Sequence, residues 1–127
     1  MPLWSVAPVT TQPSLTLVRW RVFETVEPEG SGQRPTRHFV GFCPGNVEGR
    51  VSSPIVSFDH VRLRGITASG RVYALAGEPG TDPDADYVFE MWMRINEVAQ
   101  SKDVTAEIAM YLVPGRKRRR RSPGLRA

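Results

Sequence analysis

Six consecutive cationic side chains near the end of the sequence carry the most distinctive chemistry of the chain. They are Arg116, Lys117, Arg118, Arg119, Arg120 and Arg121. Guanidinium groups match the geometry of phosphate oxygens, and a dense run of them binds a polyanion by releasing its counterions. If about six phosphates are neutralised, the logarithm of the binding constant falls with the logarithm of the salt concentration at a slope of about −5. The run predicts sequence-independent binding to DNA or RNA; the alternative is a solvated tail without a dedicated partner.

Four arginines in strand-like segments form a second candidate nucleic-acid surface: Arg19, Arg21, Arg62 and Arg64. The first two flank Trp20 and share a strand face with Phe23, and the last two share a face of a later strand. If the two strands were neighbours, one surface would combine positive charge with an aromatic ring, as proteins that hold single-stranded nucleic acid do. The alternative is a solvated sheet face whose arginines pair with cross-strand acids such as Glu24 and Glu107.

Few residues could support catalysis or bind a metal. The sequence has one cysteine, Cys43, and two histidines, His38 and His60. A thiol beside an imidazole can act as a nucleophile, with Asp59 to orient the ring. However, a continuous strand would place His38 and Cys43 on opposite faces, and no spacing typical of a zinc site is present. We therefore predict no catalytic residue, metal or cofactor, with Cys43 in the core and both histidines at exposed positions.

The charge of the chain is divided between a body and a tail. Residues 116–127 hold seven positive side chains and no acid, whereas residues 1–115 hold ten positive and thirteen negative side chains, a net charge of −3. No apolar run approaches the ~20 residues that a membrane span needs, so no membrane partner is predicted. The single cysteine and the absence of a signal-peptide pattern favour the cytoplasm. We expect an extended leader at 1–14, one domain at 15–114 and a flexible polybasic tail at 115–127, and leave the oligomeric state open.

Alternating apolar and polar residues predict five strands before the helix, at 15–26, 37–43, 51–59, 61–67 and 71–77. In the first strand, Val18, Trp20 and Val22 are expected to face the core together. Pro54 favours an edge or a bulge because it cannot donate a ladder hydrogen bond. The short Gly-containing loop at 68–70 predicts a hairpin between the last two of these strands.

A helix is predicted to begin at Pro83 with Asp82 as its N-cap, since the aspartate can accept from exposed backbone N–H groups. Capping also explains the other acids around this start better than a site for a hard cation does. Its buried stripe is expected to contain Val88, Met91, Trp92, Ile95, Val98 and Ala99. Tyr87, Phe89 and Met93 add apolar bulk outside that stripe. Alternation returns at 104–113 and predicts a final strand.

The predicted fold class is therefore α+β. We expect a curved antiparallel sheet of about six strands, with partial closure into a barrel as one form of it, and one amphipathic helix packed against the sheet. The element order is β-β-β-β-β-α-β.

The stretches GRVSSPIVSFD and RGITASGRVYALAGEPGTDPDADYVFEMW resemble short uncharacterised proteins of Gram-negative proteobacteria that are often carried on plasmids and integrated elements. The resemblance covers roughly residues 37–105, and the polybasic tail is not part of its pattern. No activity or functional residue is assigned in that group, so the resemblance implies only a bacterial cytoplasm and an accessory role on a mobile element.

These observations predict a non-enzymatic accessory protein that its tail tethers to nucleic acid. The alternative is a protein-binding module, such as an inhibitor, that uses the acidic body and the helix surface to occupy a cationic surface of its partner, with the tail incidental. A thiol or metal enzyme would require Cys43 to lie within reach of His38 or His60.

Overall fold

The first and longest strand runs through the middle of a seven-stranded, mostly antiparallel sheet. The structure is a computed structural model, and it describes residues 8–26 and 34–109. The elements in chain order are β1 (Ser14–Val26), β2 (Thr36–Cys43), β3 (Glu48–Val51), β4 (Ile55–Asp59), β5 (Arg64–Thr67), β6 (Val72–Leu75), α1 (Pro83–Ile95), β7 (Gln100–Asp103) and α2 (Thr105–Ala109).

The sheet is mixed rather than wholly antiparallel, and it is not closed into a barrel. Its strand order is β3-β2-β1-β6-β5-β4, and β7 pairs separately with β1. The amino-terminal part of β1 pairs in parallel with β6, while its carboxyl-terminal part lies antiparallel to both β2 and β7. The α+β class and the antiparallel β5–β6 hairpin were predicted correctly, whereas the predicted element order was not.

A bulge in β1 changes which side chains face the core. The pairing of β1 with β2 shifts register between Val18 and Arg21, and Arg19 adopts a left-handed backbone conformation with φ 45°. As a result, Trp20 shares the interior with Leu17 and not with Val18, which is half-buried. The expectation that Val18 and Trp20 face the same way was therefore wrong, because alternation is interrupted at a bulge.

Both faces of β1 are covered. On one face lies the inner cluster, which contains Leu15, Leu17, Trp20, Val22, Phe39, Cys43, Tyr73, Leu75 and Val104. On the other lies the helix-side cluster, which contains Phe23, Val40, Val51, Ala85 and Phe89. The rings of Phe23 and Phe89 stack with centroids 4.4 Å apart. Phe89 is thus at the centre of the buried helix face, and its placement outside the apolar stripe was wrong.

Helix α1 begins where the sequence predicted. Asp82 has an extended backbone, its side chain accepts a hydrogen bond of 3.0 Å from the N–H of Ala85, and Pro83 opens the helix. The helix lies directly on β3 because Gly49 has no side chain: a Cβ atom there would stand 2.5 Å from the carbonyl oxygen of Asp84. The helix ends at Ile95, earlier than its apolar pattern suggested.

Two segments that were expected to be single strands have a different structure. The predicted strand at 51–59 is divided between β3 and β4, with Pro54 in the connection. The predicted strand at 104–113 contains helix α2, and its residues beyond 109 lie outside the described part of the chain. Val104 and Ile108, four positions apart, both pack against the inner cluster. A spacing of four suits a helix face as well as a strand face, which explains the error.

Candidate functional site

The structure describes four of the ten predicted nucleic-acid residues, and these four lie in two separate regions. Residues 116–121, and with them the whole polybasic tail, lie outside the described residues. Arg19 and Arg21 are in β1, whereas Arg62 lies in the turn between β4 and β5 and Arg64 is the first residue of β5. Because β6 lies between β1 and β5, the two arginine pairs are not on neighbouring strands. The condition under which they would form one surface is therefore not met.

The arginines of β1 are engaged by the first turns of α1. Arg19 Nε and Nη2 lie 3.0 Å and 2.9 Å from Asp82 Oδ1, and the Arg19 guanidinium lies 5.2 Å from the ring centroid of Phe42. Arg21 forms an ion pair with Asp86, and its guanidinium lies 4.9 Å from the ring centroid of Phe23. These contacts fasten the helix to the sheet, so both guanidinium groups already have anionic partners within the body.

The arginines near β5 are more open. Arg62 lies in the turn after β4, where its side chain is exposed and its Nη1 atom is 3.5 Å from Asp59 Oδ2. Arg64 is exposed, lies opposite Ala74 of β6, and forms no ion pair with any residue that the structure describes. Of the four predicted sheet arginines, Arg64 is therefore the one with the least intramolecular competition for a phosphate group.

The turn that carries Arg62 is ordered by one carboxylate. Asp59 Oδ1 accepts hydrogen bonds of 3.2 Å from the N–H of Arg62 and 3.0 Å from the N–H of Val61. The backbone N–H of Arg62, followed by that of Val61, holds the pKa of Asp59 below its ordinary value. The turn is therefore best ordered when this carboxyl group is ionised.

The acids that were expected to neutralise the β1 arginines pair with another cation. Arg37 of β2 lies 3.0 Å from Glu24 of β1 and 3.0 Å from Glu107 of α2. The hydrogen bond to Glu24, together with that to Glu107, raises the pKa of Arg37 above its ordinary value even though burial opposes the charge. The sequence analysis did not identify Arg37, because its pairing with Glu24 depends on the register of β1 with β2, and Glu107 reaches it from α2, which is far along the chain.

The thiol of Cys43 and the ring of His38 lie on opposite sides of β2. Cys43 is buried in the inner cluster, whereas His38 lies on the other face of β2 with its ring centroid 4.7 Å from that of Trp92. The His38 ring lies 2.7 Å from Thr36 Oγ1 and 2.8 Å from the carbonyl oxygen of Ser52. The opposite-face prediction for His38 and Cys43 is confirmed, but the expectation that His38 is exposed was wrong.

No group of three or more potential metal ligands occurs within residues 8–26 and 34–109. Across the same residues, no helix has both the length and the apolar character required to cross a bilayer.

An open groove of about 540 Å³ separates α1 from the neighbouring ends of β1 and β7. Its apolar side chains are Phe23, Tyr87, Phe89 and Met93. Asp86 and Glu90 also line it, together with Arg21, which is the ion-pair partner of Asp86. Tyr87 is 65% exposed, so a partner that contacts this groove would bury its ring. The groove therefore combines an aromatic contact surface with two carboxylates: Asp86 is paired with Arg21, and Glu90 is in an exposed pair with Arg94.

A smaller cavity contains two arginines that the sequence analysis did not select. Arg50 of β3 and Arg71, the residue before β6, are both buried and line a space of about 200 Å³ together with three serines. Arginine is seldom buried. The local sequence did not indicate that these two arginines are buried, because β3 is short and Arg71 follows a turn that the sequence predicts to be exposed.

The chain matches no protein-family model, no curated protein and no solved structure at a significant level. Function must therefore be argued from the residues themselves.

Proposed function

We propose that this protein is a non-enzymatic accessory protein that is tethered to DNA or RNA by Arg116–Arg121. The observation that carries the proposal is the run of six adjacent cations that follows a body of net charge −3. Such a run binds phosphate groups without reading the base sequence. Tethering raises the local concentration of the body near nucleic acid, where any further contact becomes effectively intramolecular.

The contacts of the body support an arrangement in which the tail provides most of the affinity. Asp82 and Asp86 already neutralise Arg19 and Arg21, so binding of a phosphate there would require an intramolecular ion pair to be broken. Arg64 adds one further phosphate contact, and Arg62, which lies near Asp59, adds a weaker one. The proposed setting is the cytoplasm of a bacterium that carries mobile elements, on the basis of the sequence resemblance and the single cysteine.

The experiment compares the full chain with two variants in which residues 116–121 are all glutamine or all lysine. Fluorescence anisotropy with labelled single-stranded DNA, duplex DNA and RNA is measured between about 50 and 200 mM salt. The natural chain should show a slope of about −5 on a double-logarithmic plot. The lysine variant should keep a similar slope, and the glutamine variant should lose most of the binding. If the glutamine variant binds as well as the natural chain, the tether is excluded.

A second candidate function is the binding of a cationic protein segment in the groove beside α1. It is favoured by the exposed Tyr87 ring, which lies in the same groove as the carboxylates of Asp86 and Glu90. Aromatic residues and methionine are enriched in the cores of protein interfaces. In this case the body would act as an inhibitor or adaptor, and the tail would be incidental.

Two exposed apolar residues allow a matched test of that candidate. Tyr87 lines the groove, whereas Val61, which is 82% exposed, is in the turn after β4. A protein that is retained by the natural chain and by Val61→Ala, but not by Tyr87→Ala, would support the groove as its binding site. Equal retention by the two variants would exclude it.

A further inference from the structure

The cavity around Arg50 has the size and composition of a small anion site. Its volume is about 200 Å³, and its lining includes Arg50, Ser52, Ser53, Ser69, Arg71 and Trp92. Sites for drug-sized ligands are typically about 300–1,000 Å³. The cavity is thus suited to a small ion, or to one charged group of a larger molecule.

The guanidinium of Arg50 has hydrogen-bonding capacity that no residue within 8–26 and 34–109 fills. Its side chain is only 3% exposed, and Nη1 lies 3.0 Å from Glu48 Oε2. Its Nε atom donates a long hydrogen bond of 3.4 Å to the hydroxyl of Tyr73. Its Nη2 atom has no hydrogen-bond partner among residues 8–26 and 34–109. Arginine stays protonated in proteins, and a buried donor without a partner is costly, so a ligand oxygen would stabilise this group.

A second cation and several hydroxyls converge on the same space. Arg71 is 4% exposed, and its Nε atom donates a hydrogen bond of 2.8 Å to the carbonyl oxygen of Gln12. The hydroxyls of Ser53 and Ser69 are 3.3 Å apart. Ser53 Oγ also accepts a hydrogen bond of 3.2 Å from the N–H of Ser69, so the Ser53 O–H proton can be donated to an incoming oxygen in place of the long contact with Ser69.

We propose that this cavity binds a phosphate group, either as the free ion or as a monoester. Two arginines line it. The carboxylate of Glu48, which pairs with Arg50, has a side chain that is 43% exposed and is therefore well solvated. Phosphate carries between about one and two negative charges at neutral pH and accepts several charge-assisted hydrogen bonds. The donors come from β3, from the connection after it and from the β5–β6 turn, so they approach the cavity from different parts of the fold. A tetrahedral anion can use such an arrangement better than a planar carboxylate can.

This proposal is independent of the polybasic tail, so the test must distinguish phosphate bound in the cavity from phosphate bound by the tail arginines. The full chain is titrated with inorganic phosphate at constant ionic strength, and the arginine Nε–H signals are followed by ¹H–¹⁵N NMR. The expected result is a saturable shift of the Arg50 and Arg71 signals. Shifts that are confined to the tail arginines would overturn the cavity site, while leaving the nucleic-acid tether untouched.

Three variants test the role of Arg50. Arg50→Gln should abolish the saturable shift of Arg71, if the variant folds. Glu48→Gln changes a half-exposed side chain and removes the competing negative charge, so it should tighten phosphate binding by about three- to tenfold. Arg94→Gln, which removes an exposed helix cation that pairs with Glu90, should leave the affinity unchanged. If Arg50 only stabilises the fold, Glu48→Gln will not increase the affinity, and that result would refute the site.

The source and the chemistry of the ligand are separated by further titrations with acetate and with a nucleoside 5′-monophosphate. A monophosphate that binds more tightly than inorganic phosphate would identify an esterified group, and equal affinity would identify the free ion. Acetate that saturates the Arg50 signal at the same concentration as phosphate would overturn the assignment to phosphate.

Discussion

Arg19 and Asp82 form a hydrogen-bonded ion pair, with 3.0 Å between Arg19 Nε and Asp82 Oδ1. The same carboxylate caps α1, because its Oδ2 atom accepts a hydrogen bond of 3.0 Å from the N–H of Ala85. One side chain thus joins the bulge of β1 to the first turn of the helix. These two contacts satisfy hydrogen-bonding capacity of the Asp82 carboxyl group, although the residue is only 6% exposed.

Substitution of Asp82 should separate its two roles. Asp82→Ala removes both the cap and the ion pair, and we expect it to lower the free energy of unfolding by about 1–2 kcal/mol. Asp82→Asn keeps a side-chain acceptor for the helix N–H groups but loses the charge, so its cost should be under about 1 kcal/mol. Urea unfolding followed by circular dichroism measures both. Equal losses in the two variants would show that the cap contributes little.

Addition of a methyl group at Gly49 should disturb the contact between α1 and β3. A Cβ atom there would lie 2.5 Å from the carbonyl oxygen of Asp84 and 2.7 Å from the Cα of Ala85, and backbone atoms cannot rotate away. Gly49→Ala should therefore cost about 1–3 kcal/mol of unfolding free energy. Gly45→Ala is the control, since nothing lies within 4 Å of its Cβ position, and it should change stability by less than about 0.5 kcal/mol. A cost at Gly45 that matches the one at Gly49 would contradict this packing.

Neutralisation of Arg21 should mainly change stability, whereas neutralisation of Arg64 should mainly change nucleic-acid binding. Arg21→Gln removes the pair with Asp86 and the contact with the Phe23 ring, so it should lower stability by about 1 kcal/mol and leave nucleic-acid binding unchanged. Arg64→Gln should change stability by less than about 0.5 kcal/mol but reduce the salt slope of nucleic-acid binding by about 0.7–0.9. Chemical denaturation and anisotropy titrations test the pair. Weaker nucleic-acid binding in Arg21→Gln than in Arg64→Gln would contradict the arrangement.

The turn after β4 should lose stability in acid. The folded state lowers the pKa of Asp59 below its ordinary value of 3.8, so ionised Asp59 stabilises the fold above that pH, and the contribution is lost as the pH falls through the lower folded-state pKa. An NMR titration of the Asp59 carboxyl carbon should show the lowered pKa directly. Since the backbone N–H of Arg62 is the largest cause, Arg62→Gln should retain most of the lowering. Return of the pKa to 3.8 in that variant would assign the effect to the guanidinium instead.

The sequence was most informative where a structure is determined by neighbouring residues. The start of α1 could be predicted because Asp82 and Pro83 are adjacent, and the β5–β6 hairpin because a short loop joins its strands. Both features depend on interactions between residues a few positions apart, which leave a local pattern in the sequence.

Features that arise from distant contacts could not be predicted. The parallel pairing of β1 with β6 joins Leu17 to Leu75, and no local pattern indicates it. The left-handed conformation of Arg19 could not be predicted, because the position is not occupied by glycine or asparagine, the residues that usually adopt it. In the candidate sites, the partners of Arg19 and Arg21 lie on α1, and the burial of Arg50 depends on how β3 meets Tyr73 of β6. Each of these requires the tertiary fold.

The central position of β1 has a consequence for how the protein matures on the ribosome. Its partners extend along the chain as far as Asp103 of β7, and at about 5–20 residues per second the ribosome needs about 4–15 s to proceed from Val26 to that point. Throughout this interval the nascent chain would present Trp20 and Phe23 without their final neighbours. Vectorial synthesis therefore delays completion of the core, and chaperones that recognise apolar segments would have time to bind the emerging polypeptide.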